Sequence, residues 1–171
     1  MGRGEDMATY ETLATSSIFF GLERPQLEQI IAISSVEKHA PGTSIFTQGS
    51  LVPNLYVVQE GTIKLSTDVH LWPKETLLRT AVTNIGAGSA FGWSAVMDPP
   101  RATLSAWTIP NTALVAVDGA GLKQLMDADC TIGYYVMKRL LYLVTSRLMA
   151  TRDAVTMEQS AEMSRQALLS R

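Results

Sequence analysis

Between Val36 and Val117 the chain runs in short apolar, β-rich segments, each closed by glycine, proline or asparagine: SVEKHA, SIFTQG, NLYVVQEG, TIKLST, LLRTAVTNIGAG, TLSAW and TALVAVD. Turn residues return about every 8 to 12 positions, the spacing of an antiparallel roll or barrel. No long helical period interrupts the series. The polar stretch Thr67 to Thr76 is expected to hold a hairpin tip. One segment breaks the pattern: FGWSAVMDPPR, Phe91 to Arg101, neither alternates nor is long enough for an ordinary helix. It reads as a short helical turn set between strands.

Helical patterns flank this region. Leu22 to Ser34 carries Leu27, Ile30 and Ile31 at helical spacing, with Pro25 where a first turn tolerates it. Asp118 to Met126 suits a short helix. From Asp129, a suitable N-cap, a helical pattern meets no proline or glycine between Tyr134 and Arg171. This last helix has two apolar stripes. Ile132, Val136, Leu140 and Leu143 make one face, expected to dock on the roll. Met137, Leu141, Val144, Leu148, Thr151 and Val155 follow the alternating spacing of a coiled-coil seam. A second stripe implies a second partner, most simply the same helix of another copy. The alternative is one wide face buried within the monomer. The expected organisation is a flexible N-terminus over 1–12, a β-roll with short flanking helices over 13–128, and a long C-terminal helix over 129–171. The fold class is α+β, mainly β: a jelly-roll-like antiparallel β-roll with an N-terminal helix, a short inserted helix and a dimerisation helix.

With 171 residues the chain suits one domain with a core of its own. Lysine plus arginine is 14 against 16 acids, a net charge of −2, so no strong field draws it to nucleic acid or anionic membrane. The lone Cys130 excludes an internal disulfide and a multi-thiolate metal site. No apolar run is long enough to span a bilayer, and the first residues hold no secretory h-region. A cytoplasmic location is expected, with no metal and no cofactor.

The ordered segments PGTSIFTQG, NLYVVQEGTIKL, NIGAGSAFG and PPRAT resemble the cyclic-nucleotide-binding domain of catabolite-activator-type regulators, over about Leu13 to Asp153. Gly42, Gly49, Gly61, Gly86, Gly88 and Gly92 fall in family order. The resemblance implies that the inserted turn is a phosphate-binding cassette. There, exposed backbone N–H groups and one arginine hold a cyclic phosphate, and a glutamate accepts the ribose 2′-hydroxyl. Carried over, the ligand-binding residues are Gly92, Trp93, Ser94, Ala95, Arg101, Ala102 and Thr103. Trp93 stands where the family has the glutamate, and the cassette is about one residue short. An indole donates and cannot accept from a hydroxyl, and its bulk takes the space of a ribose. FGWSA followed by PPR, LVAVDGAGL and RLMATRDAV resembles a subgroup of stand-alone bacterial proteins that carry this domain with no output domain.

Three readings stay open: a dimeric sensor of an anionic small molecule other than cyclic AMP; a true cyclic AMP or cyclic GMP binder; and a ligand-free dimeric scaffold, with Trp93 plugging the pocket and Arg101 paired to a carboxylate such as Asp98. None is an enzyme. His39 and His70 have no nucleophile or carboxylate pattern of mechanistic meaning around them. Trp72 and Trp107 read as packing residues. The 19 residues after Arg152 have no room for a helix-turn-helix, so direct DNA binding is not expected. Any signal would pass to an effector protein.

Overall fold

Among the described residues of the computed structural model, 3–71, 76–146 and 148–149, the apolar runs form eight strands. They are β1 (Ser34–His39), β2 (Ser44–Phe46), β3 (Asn54–Glu60), β4 (Thr62–Leu71), β5 (Thr76–Gly86), β6 (Ala90–Phe91), β7 (Ser105–Thr108) and β8 (Thr112–Asp118). Two four-stranded antiparallel sheets result, in the orders β1-β8-β3-β6 and β2-β7-β4-β5. This is the expected roll.

The two central strands of the first sheet explain why LYVV and ALVAV do not alternate with polar residues. Leu55 to Val58 and Ala113 to Val117 are buried throughout. Both faces of that sheet are covered, so both residue parities must be apolar. Helices α1 (Arg3–Thr15) and α3 (Gly119–Ala128) pack against β3 and β8. In the other sheet Ile63 and Leu65 are buried while Lys64 is exposed, the alternation of a half-covered strand.

The β3–β4 corner shows why glycine is needed there. Gly61 has φ +95°, and a Cβ would lie 2.6 Å from Thr112 Oγ1 and 2.7 Å from the Asn111 carbonyl. Only a residue without Cβ fits both the dihedral and the contact.

Two expectations change and one is narrowed. The stretch expected as a flexible N-terminus over 1–12 is helical from Arg3: α1 spans Arg3–Thr15, and Thr9 and Leu13 are buried on it. Its own amphipathic pattern is weak, so burial against the roll, absent from any sequence period, supports it. The polar stretch from Thr67 is strand up to Leu71, paired with Thr76 to Thr80; the tip itself, 72–75, lies outside the described residues, as does Trp72. The short helix α2 (Arg24–Ala32) starts two residues later than expected, with Pro25 in its first turn.

The terminal helix α4 runs over 130–146, and residues 148 and 149 are helical as well. Asp129 Oδ1 accepts from the Thr131 N–H at 2.8 Å, the N-cap contact its position suggests. Ile132, Val136 and Leu140 are buried in the common core, while Met137, Leu141 and Leu148 are 55%, 69% and 68% exposed. The two stripes are therefore separate faces in the monomer. Thr151, Val155 and the rest of the expected helix to residue 171 lie outside the described residues.

Candidate functional site

The inserted segment forms where β6 ends. Gly92 turns the chain at φ +73°, and the residues Trp93–Val96 make one 3-10 turn. Glycine is required here by space as well: a Cβ would sit 3.0 Å from the Asn54 carbonyl and 3.1 Å from Tyr56 Cδ2. Ala95 N–H donates to Gly92 O, and Met97 N–H to Ser94 O, both at 3.0 Å. Ser94 and Ala95 are buried. Met97, Asp98 and Pro99 are exposed, and the Asp98–Pro99 bond is cis.

The cassette's far end is stitched to the turn after β2. Val52 N–H donates to Pro100 O at 2.8 Å, Gly49 N–H to Ala102 O at 2.8 Å, and Ala102 N–H to Ser50 O at 2.9 Å. Leu51 and Arg101 form an isolated antiparallel bridge. These bonds set Arg101 at the rim, exposed, with Nη1 donating to the Gly49 carbonyl at 2.9 Å. The ion pair with Asp98 that the scaffold reading anticipates is not made: among the described residues Arg101 has no carboxylate partner.

Between the two ends lies a cleft lined by Gly92, Trp93, Ser94, Ala102 and Thr103, all expected ligand contacts, together with Phe46, Val52, Leu65, Phe91 and Leu104. Of the expected site residues, Ala95 and Arg101 do not line it; the Ala95 methyl and carbonyl instead abut Gly119 at the start of α3, and Arg101 is exposed at the rim. The interior volume is about 20 Å³, space for about one water. The half-buried Trp93 indole is one wall. Phe46 and Phe91 form another, with ring centroids 5.9 Å apart, and Tyr56 stacks behind Phe91 at 5.2 Å. Burial, then the Glu37 charge, raise the Tyr56 phenol above its ordinary value, with a hydrogen bond from Asn54 opposing them.

Phe46, Val52, Leu65 and Leu104 were not legible as site residues. Each comes from a different strand or turn, and only the closure of the roll brings them together. Gly49 was read as a corner and is also the acceptor that holds Arg101. Elsewhere, His39 Nε2 lies 2.9 Å from Glu37 Oε2. Among the described residues no group of three His, Cys, Asp or Glu is placed to hold a metal, and no helix is long and apolar enough to cross a membrane.

Comparison with known proteins agrees with this geometry. The family model for the cyclic nucleotide-binding domain matches residues 36–129, more than half of the chain. No curated protein matches. Among solved structures, a cyclic nucleotide-binding domain from Methylobacillus flagellatus superimposes with a TM-score of 0.72 at 18% identity, over 90% of this chain and 83% of its own. The catabolite activator protein of Thermus thermophilus gives 0.67 at 23% identity, over 84% of this chain and 63% of its own. The regulatory domain of Toxoplasma gondii PKA with cAMP gives 0.64 at 19%, over 73% of this chain and 46% of its own. The chain thus spans less than two thirds of these last two, and the likenesses at such identities show the fold.

Proposed function

The chain belongs to the cyclic nucleotide-binding domain family, and from that footing we propose that it is a dimeric ligand-sensing module whose cassette takes an anionic small molecule other than cyclic AMP. It acts by binding and not by catalysis. The observation that carries the reading is the cleft beside the cassette: about 20 Å³, walled by the Trp93 indole, with no carboxylate side chain among its lining residues. A ribose hydroxyl would find bulk where it needs an acceptor, and a polar group left unpaired on burial costs about 1–3 kcal/mol.

Arg101 is the anion contact in this reading. One of its five N–H donors is engaged by Gly49 O, and the rest of the fork is at the rim. The filled cleft also suits the ligand-free scaffold, but an arginine with no internal carboxylate favours a bound anion.

Dimerisation uses the exposed stripe Met137, Leu141, Val144 and Leu148, with Thr151 and Val155 as its continuation. Duplex DNA is no ligand of this chain, since 14 basic against 16 acidic residues leave no net attraction to phosphate. The place of action is cytoplasmic, and the output goes to an effector protein.

Calorimetry tests the reading. Wild type is expected to show negligible heat with cyclic AMP and cyclic GMP. Arg101→Ala should weaken any anion that does bind by about tenfold or more, the equivalent of roughly 1.5–3 kcal/mol for a lost charge-assisted hydrogen bond. Trp93→Glu should make cyclic AMP binding measurable. Low-micromolar cyclic AMP binding by wild type overturns the proposal.

A further inference from the structure

Every charged residue from Cys130 to Arg152 is basic: Lys138, Arg139, Arg147 and Arg152 stand there with no aspartate or glutamate, although the whole chain carries −2. We infer that the exposed face of α4 around Lys138 and Tyr142 docks an acidic amphipathic segment of another protein. The inference rests on the reading that output goes to an effector protein, and adds the docking surface and the partner's chemistry. It uses neither the cassette nor the dimer stripe.

The face is apolar and open. Tyr134, Lys138 and Tyr142 follow at i, i+4 and i+8, one row along a helix surface, and Met149 continues it two turns beyond Tyr142. Tyr134, Tyr142 and Met149 are 61%, 71% and 61% exposed. Arg139 borders the row on one side and carries the exposed Phe20 of the loop between α1 and α2. The dimer stripe of Met137, Leu141 and Leu148 lies on the other side, as helical position requires. The two cations are held by rings and not by acids. Lys138 Nζ lies 5.5 Å from the centre of the Tyr134 ring, and the Arg139 guanidinium carbon 4.9 Å from that of Phe20. Among the described residues neither has a carboxylate partner. A cation–π contact orients a charge without neutralising it, so both remain open to an incoming carboxylate.

Charge complementarity selects the occupant. The α4 helix of a second copy would bring only more cations to this row, and like charges repel. The acidic roll of a second copy would attract, but that contact is head-to-tail and grows past a dimer into open chains. A lipid surface asks for more charge: attraction is worth about 1 kcal/mol per cation, and lipid-reading clusters hold about 4–8, whereas this face has Lys138 and Arg139. An acidic amphipathic segment meets both features at once. Its carboxylates pair with Lys138 and Arg139, and its apolar side chains lie on Tyr142, Phe20 and Met149, the anchor pattern of a helix laid on an apolar surface.

The test titrates full-length protein into a fluorescein-labelled amphipathic peptide, glutamate along one face and leucine along the other, and into its counterpart with glutamine for glutamate. The acidic peptide is expected to bind wild type about tenfold or more tightly than the glutamine peptide, and to weaken as salt rises from about 50 to 300 mM. Lys138→Glu should weaken it by about tenfold or more, and Tyr142→Ser by about fivefold. Both side chains are exposed, so the thermal midpoint of either variant should stay near that of wild type. Leu141→Gln disturbs the dimer stripe without adding charge and should bind as wild type does. Equal binding of the two peptides, or unchanged binding by Lys138→Glu, overturns the inference. Preference for phosphatidylserine vesicles over the acidic peptide overturns it in favour of a lipid surface, and growth beyond a dimer that Lys138→Glu abolishes overturns it in favour of a second copy. If neither peptide binds at about 100 μM, the docking face falls alone; calorimetry of the cassette and sedimentation of the dimer read the other proposals separately.

Discussion

Arg139 reaches from α4 to the loop between α1 and α2: its Nε donates to the Phe20 carbonyl at 3.1 Å, and its guanidinium carbon lies 4.9 Å from the centre of the Phe20 ring. One side chain thus makes a charge-assisted hydrogen bond and a cation–π contact to a segment 119 residues away. Arg139→Ala is expected to cost about 1–2 kcal/mol, the sum of two partly exposed contacts. Arg139→Lys keeps the charge without the planar fork and should cost less. Urea denaturation measures both, and amide exchange over 130–146 should accelerate more than exchange in β3 and β8. Equal acceleration everywhere would show that the contact does not anchor α4 locally.

Gly119 couples α3 to the cassette. A Cβ there would meet the Ala95 carbonyl at 2.6 Å, the Pro53 carbonyl at 2.7 Å and the Ala95 methyl at 2.8 Å, all fixed by backbone. Gly119→Ala should destabilise by more than about 2 kcal/mol, as overpacking against rigid neighbours does. Gly42→Ala is the control. It has φ +75° but open space around it, so only backbone strain of about 1 kcal/mol is expected. Thermal unfolding orders the two, and a larger loss at Gly42 would contradict the packing account.

The two faces of α4 predict opposite phenotypes. Ile132→Ala removes a fully buried side chain and should cost about 2–5 kcal/mol of stability, leaving the exposed stripe intact. Leu141→Glu changes an exposed residue and should leave monomer stability within about 0.5 kcal/mol, yet prevent association by burying a charge at a two-fold interface. Sedimentation velocity at tens of micromolar reads the second effect. A wild-type chain that sediments as a strict monomer removes the dimer from the proposal.

Tyr56 should make the fold alkali-sensitive. Burial and the Glu37 charge raise its phenol above the ordinary value near 10. With the folded value higher than the unfolded one, the unfolded chain loses the proton first. The stabilisation is therefore complete below pH of about 10 and is lost as pH rises through the folded value. Tyr56→Phe removes the titrating group, so its stability should decline less than wild type between about pH 9 and 11. Parallel declines would assign alkaline loss to other groups.

The spacing of turn residues from Val36 to Val117 was enough for the antiparallel roll, because hydrogen-bonded strands joined by tight corners leave a local record in glycine and in apolar runs. The two stripes of α4 were also legible, since side-chain direction on a helix follows from position alone. Phe91-Gly92-Trp93 marked by residue type where the strand pattern breaks into the short inserted turn. The helix at Arg3–Thr15 was not legible, because its support comes from burial against β3 and β8 and not from its own pattern. Nor was the cleft. Phe46 on β2, Leu65 on β4 and Leu104 just before β7 meet only when the strands of the second sheet pair, and Val52 joins them from the turn after β2. The fate of Arg101 was decided there too: the bridge at Leu51 brings the Gly49 carbonyl within 2.9 Å, while Asp98, three residues away in the chain, is not its partner. Local sequence dictates dihedrals and faces. Which groups meet across the roll depends on strand register, and only the folded chain sets that.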